Sequence, residues 1–296
     1  MANLPISALY GMEPPTEEQA RGGLADLQRR FERQAEARAA QAAGARVHSA
    51  ALRGMLNVTD ESTRNATAAV RTLRRESETA AKRKTAQPKG HRARPRLFTG
   101  SIGATLTPPY NWSWTWHAGN GGPEINSASA DSRNGTWSVS DWTSNNDNSS
   151  NASARAAVGA FFRPPTDTGI LQVWSNPALN DDWGDWCVFD GAGSDGWVGL
   201  YIGEYVVDGG GFVGAPVDQQ VRLWSDSSWW SGVGSQEGSN SGYPLFAQLN
   251  VDNDHYYEIW VWGGTDVYGA GWGTFSGSGA GGDLSASVPS ITWELN

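Results

Sequence analysis

All 16 tryptophans of this chain lie between Trp112 and Trp293, whereas 18 of its 22 lysine and arginine residues lie before residue 97. Residues 1–96 carry 18 basic and 10 acidic side chains, a net charge of +8, and residues 97–296 carry 4 and 21, a net charge of −17. A segment with few aromatic residues cannot build a large core alone, while about 200 residues bury roughly 70% of their unfolded surface. The sequence therefore predicts two chemically different parts in one polypeptide.

The first part has the pattern of a helical segment. Thr16-Glu17-Glu18-Gln19 is a capping box after two prolines and predicts the start of a helix. Apolar residues then recur at helical spacing, at Leu24, Leu27 and Phe31, and a second stripe is predicted after a break near Gly54. Both stripes are narrow and rich in alanine, so the helices need a partner to bury them. We expect residues 1–84 to serve self-association, as in a coiled coil, or attachment, and a solvated charged arm is the alternative.

A basic linker is predicted between the two parts. Residues 82–96 contain seven basic side chains, no acidic one, two prolines and a glycine, and we place the linker itself at residues 85–96. Such a run binds nucleic acid or anionic surfaces by counterion release, lies against the acidic part that follows it, or serves as a solvated spacer. Nucleic acid is expected as a partner only here, because the charge of −17 in the following part repels phosphate.

The pattern changes to a period of two after Leu97. Trp112, Trp114 and Trp116 alternate with polar residues, which places three indoles on one face of a strand. Further strands are predicted at 135–142, 154–163, 169–175, 185–189, 197–207, 217–225, 245–251, 255–262 and 284–295, with a turn at 190–196. Many short strands without helices predict a mainly β fold over residues 97–296, an antiparallel β-sandwich of jelly-roll type preceded by the α-helical segment.

Several predicted strands are apolar on both faces. Ala156–Phe162 and Ile259–Trp262 are examples, although a simple sandwich leaves one face of each sheet in water. We therefore expect the second face to be covered by long loops, by a neighbouring subunit or by the N-terminal helices.

The tryptophan content predicts a recognition surface. Indole faces stack on the C–H faces of sugars, and the Asn, Ser and Asp residues of the loops supply polar contacts. The best candidates for ligand contact lie in turn-like or Gly/Ser-rich stretches, at Trp183, Trp229, Trp230 and Trp272. Subunit contact or loop anchoring is the alternative for the same residues, because tryptophan is also enriched at protein interfaces.

Clusters of aspartates raise the question of a cofactor. Asp181, Asp182 and Asp185 supply hard oxygen ligands of the kind that Ca²⁺ prefers, but their order does not match an EF-hand. Aspartate is also a favoured turn residue. We expect no cofactor, with Ca²⁺ binding as the alternative.

An enzymatic alternative rests on two glutamates. Glu204 and Glu258 lie in predicted strands, and two carboxylates about 5–5.5 Å apart in a jelly-roll cleft form the site of a retaining glycosidase. In size and in its content of Trp, Tyr, Gly and Asn, the β domain resembles xylanase-like jelly rolls, which implies a polysaccharide-active glycoside hydrolase. The other interpretation is that each glutamate points outward from its strand.

The leading hypothesis is a non-enzymatic binding or assembly protein, in which a helical segment presents a recognition domain to a glycan or a cell-surface receptor. This plan resembles that of fibres and receptor-binding proteins of phages or injection particles. The N-terminus lacks the pattern of a secretory signal, and no window approaches the ~20 apolar residues of a membrane span. We therefore expect a soluble chain that is cytoplasmic or released as part of a particle.

Overall fold

The computed structural model describes residues 17–55, 102–120, 124–145, 149–165, 168–207, 211–238, 242–270 and 277–296. Its elements in chain order are α1 (Glu17–Met55), β1 (Ile102–Leu106), β2 (Trp112–Asn120), β3 (Glu124–Asp131), β4 (Thr136–Asn145), β5 (Ser149–Phe162), β6 (Thr168–Ser175), β7 (Ala178–Val206), β8 (Phe212–Gly238), β9 (Leu245–Asp252), β10 (His255–Ala270), β11 (Gly277–Ser287) and β12 (Ile291–Leu295). The predicted second helix and the basic linker lie outside the described residues.

Helix α1 is continuous over 39 residues. It begins beside the predicted capping box and ends next to Gly54, as the sequence indicates. Gly22 and Gly23 lie within it, although each costs about 1 kcal/mol relative to alanine. A Cβ atom at Gly22 would lie 2.8 Å from the Cβ of Phe212, so the helix approaches the sheet closely at this point because no side chain intervenes.

The strands form two sheets, and neighbouring strands within each sheet are antiparallel. The smaller sheet has the order β1-β12-β6-β9, and the larger sheet has the order β2-β5-β10-β7-β11-β4-β3 with β8 paired to β7. One apolar cluster joins them, with Leu171 and Val173 from the smaller sheet and Val158, Leu200 and Val261 from the larger. The chain is therefore a mainly β, sandwich-like protein, and the jelly-roll form of the sandwich stays a prediction.

The turn predicted at residues 190–196 is wrong. This glycine-rich segment lies inside β7, which pairs with β10 and β8 from Gly191 onward. Its glycines make room for large rings, because a Cβ atom at Gly193 would lie 2.5 Å from the ring of Tyr268 and one at Gly196 would overlap Trp224. Glycine here permits close packing within a strand, a role that local sequence does not distinguish from a turn.

The second apolar face of the larger sheet is covered by α1. Leu27, Phe31, Ala35 and Ala42 of the helix are buried, and Leu27 and Phe31 belong to one cluster with residues of the sheet. Of the three coverings considered from sequence, the N-terminal helix is the one observed. The stripe that needed a partner packs against the chain's own sheet, and self-association through the helices stays a prediction.

Candidate functional site

Tryptophan rings lie flat on the outer face of the larger sheet, beneath α1. Trp260 of β10 is opposite Gly159 of β5, and Trp262 is opposite Gly199 of β7. A Cβ atom at Gly159 would lie 2.6 Å from the Trp260 ring, and one at Gly199 would overlap the Trp262 ring. Each indole therefore rests on the backbone of a glycine in the neighbouring strand, and both rings are buried.

Strand β2 extends this surface with Trp112, Trp114 and Trp116, which are half-buried on one face as the sequence predicts. Phe31 of α1 inserts between the indoles. Its ring centroid lies 5.9 Å from that of Trp114, 6.1 Å from that of Trp116 and 4.9 Å from that of Trp262. We call the surface formed by the sheet tryptophans beneath Phe31 the covered aromatic face. It consists of Trp112, Trp114, Trp116, Trp260 and Trp262.

A buried ion pair lies below Phe31. The Arg155 guanidinium is fully buried, with its Cζ 4.9 Å from the Phe31 ring centroid, and its Nη2 donates to Asp266 Oδ2 at 2.7 Å. The same group donates to the Thr265 carbonyl at 2.6 Å and to Gln34 Oε1 of α1 at 3.2 Å. These bonds distribute the charge over the sheet and the helix, as a buried cation requires.

Arginines of α1 also pair with acids at the edge of this contact. Arg30 forms an ion pair with Asp218 of β8, and Arg38 forms one with the buried Asp195 of β7. The acidic β domain has only four arginines of its own. The charge division in the sequence therefore corresponds to ion pairs between the helix and the sheet.

Glu258 lies fully buried under the N-terminal half of α1. Its Oε2 accepts a hydrogen bond of 2.7 Å from Tyr205 Oη, which in turn accepts one of 2.7 Å from the Gly23 amide of the helix. Burial raises the pKa of this carboxyl to about 7.

Glu204 lies on the opposite face of the sheet. It is opposite Tyr257 in the register and accepts a hydrogen bond of 3.0 Å from the Tyr257 hydroxyl, while Glu258 is the next residue along β10. Successive side chains of a strand point to opposite faces. The structure therefore does not bring Glu204 and Glu258 into one cleft, and this pair lacks the arrangement of a retaining glycosidase.

The outer face of the smaller sheet carries aromatic and amide side chains that α1 does not cover. Trp174 of β6 lies directly opposite Phe246 of β9, and in the next row Gln172 Nε2 donates to Gln248 Oε1 at 3.2 Å. Phe246 is 50% exposed, and Trp174 is half-buried. Ile170, Asn250 and Thr292 complete what we call the open face.

Of the four tryptophans predicted as ligand contacts, Trp183 and Trp229 lie far apart along the β7–β8 pair. Trp183 is half-buried against the core, with its ring parallel to that of Trp224 at 6.5 Å between centroids. Trp229 of β8 pairs with Gly191 of β7. Gly191 lies eight residues from Trp183 on the same strand, which is about 27 Å along an extended strand. Trp230 also lies on β8, whereas Trp272 lies outside the described residues.

The three aspartates considered for Ca²⁺ also differ in environment. Asp181 and Asp185 are buried, and Asp182 is exposed. Asp185 Oδ1 accepts hydrogen bonds from Ser228 Oγ at 2.8 Å and from the Gly234 amide at 3.0 Å, and burial raises its pKa to about 6. Within the described part of the chain, no group of three or more His, Cys, Asp or Glu side chains is placed to hold a metal ion.

Comparison with known proteins gives no family. No family model and no curated protein matches the sequence. The family 11 carbohydrate-binding module of Clostridium thermocellum, solved with a β-1,3-1,4-mixed-linked tetrasaccharide, is 10% identical over 62% of this chain and 95% of its own, with a TM-score of 0.19. The enzymatically active domain of bacteriophage CBA120 tailspike protein 4 is 11% identical over 62% of this chain, with a TM-score of 0.20.

This chain covers only 19% of that tailspike chain. A structure of the infectious bursal disease virus Gx strain is 10% identical over 70% of this chain and 44% of its own, with a TM-score of 0.16. Scores this low do not establish a shared fold. In the part of the chain that the structure describes, no helix is long and apolar enough to cross a membrane.

Proposed function

We propose that this protein is a non-enzymatic binding protein that recognises a glycan through the open face of its smaller sheet. The observation that carries the proposal is the cross-strand pair of Trp174 and Phe246, which lies beside the amide pair of Gln172 and Gln248. Aromatic rings and amides alternate here on a sheet surface that the helix leaves uncovered.

The chemistry of this face fits a polar ligand with apolar patches. An aromatic ring accepts the C–H face of a sugar, and the neighbouring amides both donate and accept hydrogen bonds to hydroxyl groups. Successive rows of a strand pair on one face lie about 7 Å apart, so the aromatic row and the amide row contact adjacent parts of one extended ligand. This arrangement favours a neutral oligosaccharide over an isolated charged group.

We further propose that the N-terminal segment attaches the sandwich to a larger assembly, as in a fibre or particle component. The apolar stripe of α1 is already buried on the sheet, so attachment or oligomerisation falls to the residues before and after that stripe. Light scattering of the full chain measures the number of subunits directly, and a monomer at all concentrations would reject oligomerisation.

A glycan array probed with the full chain tests the proposed site. The variants are Trp174→Ala and Phe246→Ala, and the matched control is Val213→Ala, which removes a 55% exposed apolar side chain from β8. We expect either aromatic substitution to weaken binding at least tenfold, about 1.4 kcal/mol, and the control to bind as the wild type does.

The same array separates the earlier candidate site from the open face. Trp183→Ala, Trp229→Ala, Trp230→Ala and Trp272→Ala should leave the affinity unchanged if the open face is the site. Loss of binding in these variants alone would move the site from the open face to these tryptophans. Binding to no glycan would reject glycan recognition and leave the open face as a surface for a protein partner.

A further inference from the structure

Glu258 occupies an unusual position between the helix and the larger sheet. Its side chain is fully buried, and no cationic side chain among the described residues forms an ion pair with it. The other buried acids of this contact, Asp195 and Asp266, pair with Arg38 and Arg155. Glu258 therefore lacks the compensating charge that its neighbours have.

The carboxyl group is connected to the helix backbone through one hydroxyl group. The Gly23 amide donates to Tyr205 Oη, and Tyr205 Oη donates to Glu258 Oε2, both at 2.7 Å. Gly23 lies so close to the sheet that there is little room for a side chain. A Cβ atom at this position would lie 3.2 Å from Glu258 Oε2. The first turns of α1 thus reach this carboxyl through the Tyr205 hydroxyl.

The titratable groups around Glu258 do not stabilise its ionised form as a cation would. Tyr201 and Tyr205 face it from β7, and Tyr256 of its own strand stacks on Tyr205 with 4.8 Å between ring centroids. From α1, Asp26 and Arg30 lie at Tyr201 and form an ion pair with each other at 3.0 Å. An ionised Glu258 would be a buried charge without an ionic partner, which is strongly unfavourable.

We propose that α1 is a lid whose docking on the larger sheet is controlled by the protonation of Glu258. With the carboxyl neutral, the lid is closed over the covered aromatic face. When the carboxyl is ionised, the N-terminal half of α1 is released and exposes Trp112, Trp114, Trp260 and Trp262 to solvent and to ligands. This control goes beyond the glycan proposal, which concerns the opposite side of the sandwich.

The direction of the pH effect follows from burial. In the docked state the pKa of Glu258 is about 7, whereas a solvent-exposed carboxyl of this type has a pKa of 4.5. A group whose pKa is raised by docking favours the docked state most strongly below pH 4.5 and loses that contribution as the pH rises to 7. Within this window the docking equilibrium weakens by up to about tenfold per pH unit, and above it the effect is constant.

Hydrogen–deuterium exchange of the full chain, corrected for the intrinsic pH dependence of amide exchange, measures the lid directly. We expect amides of residues 23–35 to be at least tenfold more protected at pH 5 than at pH 8. Glu258→Gln keeps an acceptor for Tyr205 without an ionisable group, so its protection at pH 8 should equal or exceed that of the wild type at pH 5. Glu36→Gln, on the exposed face of α1, is the control and should behave as the wild type does.

Either of two results would overturn the proposal: equal corrected protection of α1 in the wild type from pH 5 to pH 8, or the wild-type pH dependence in the Glu258→Gln variant. Should that variant not fold, acrylamide quenching of tryptophan fluorescence in the wild type decides instead. Quenching should increase between pH 4.5 and pH 7, and pH-independent quenching contradicts the lid.

Discussion

The ring of Phe31 in α1 lies 4.9 Å from the ring of Trp262 in β10, centroid to centroid, and joins residues that are 231 positions apart in the chain. Arg155 lies against the same phenyl ring from within the sheet. An aromatic side chain of the basic segment thus completes a cluster of the acidic domain. The helix packs against the sandwich, which is one of the three coverings that the apolar strands predicted.

Replacing Phe31 tests how much this contact stabilises the protein. Phe31→Ala removes a ring that is 2% exposed and leaves a cavity between Trp114, Trp116 and Trp262, so the free energy of unfolding should fall by about 3–5 kcal/mol. Val47→Ala is the control, because Val47 is 71% exposed on the same helix and should change stability by less than about 0.5 kcal/mol. Urea unfolding measures both, and equal effects would show that α1 is not packed as described.

The glycines under the indoles should not tolerate a methyl group. Gly159→Ala places its Cβ atom 2.6 Å from the Trp260 ring, which has the helix above it, so we expect a loss of about 1–3 kcal/mol. Gly214→Ala in β8 meets nothing within 4 Å and should be neutral or slightly stabilising. Thermal unfolding compares the two variants, and a neutral Gly159→Ala would contradict the flat placement of Trp260.

The buried ion pair predicts a strong effect from removing one partner. Arg155→Met leaves Asp266 without its ionic partner in the interior, and the unfolding free energy should fall by about 3–5 kcal/mol. Replacing both residues, as Arg155→Met with Asp266→Leu, should restore part of this loss because no unpaired charge remains. Arg133→Met, at an exposed position, is the control. A single variant as stable as the wild type would mean that Arg155 is solvated.

The buried Asp185 should make the stability of the folded protein depend on pH, and one substitution should remove this contribution. Burial raises its pKa from 3.8 to about 6, so it favours the folded state at low pH and loses that contribution between about pH 4 and pH 6. Asp185→Asn keeps an oxygen that accepts from Ser228 and does not titrate. Relative to the wild type, its melting temperature should therefore rise with pH across this window. Parallel curves for the two proteins would show that Asp185 is not buried.

Local patterns were sufficient to predict several elements. The alternation of Trp112, Trp114 and Trp116 predicted one face of β2, and the spacing of Leu27 and Phe31 predicted the buried stripe of α1. Apolar residues on both faces of β10 predicted that something covers the larger sheet. In each case the relevant neighbours lie within a few residues, where periodicity reports burial.

What the sequence did not reveal depends on pairing between distant strands. Trp174 and Phe246 lie 72 residues apart, and only the register of β6 with β9 places them side by side. Likewise, Glu204 and Glu258 were paired because both lie in predicted strands, and the register places them on opposite faces. The alternation of Phe246, Gln248 and Asn250 was a usable signal for an exposed strand face, but it does not identify the strand beside it.

Oxidation of tryptophan by N-bromosuccinimide, mapped by mass spectrometry on the full chain at pH 5, tests the central claim that one aromatic face is open and the other is covered. We predict that Trp174 is oxidised before Trp260 and Trp262, and that a bound oligosaccharide protects Trp174 alone among these three residues. Oxidation of Trp260 and Trp262 as fast as that of Trp174, or protection of these two by the oligosaccharide while Trp174 stays reactive, would contradict the account.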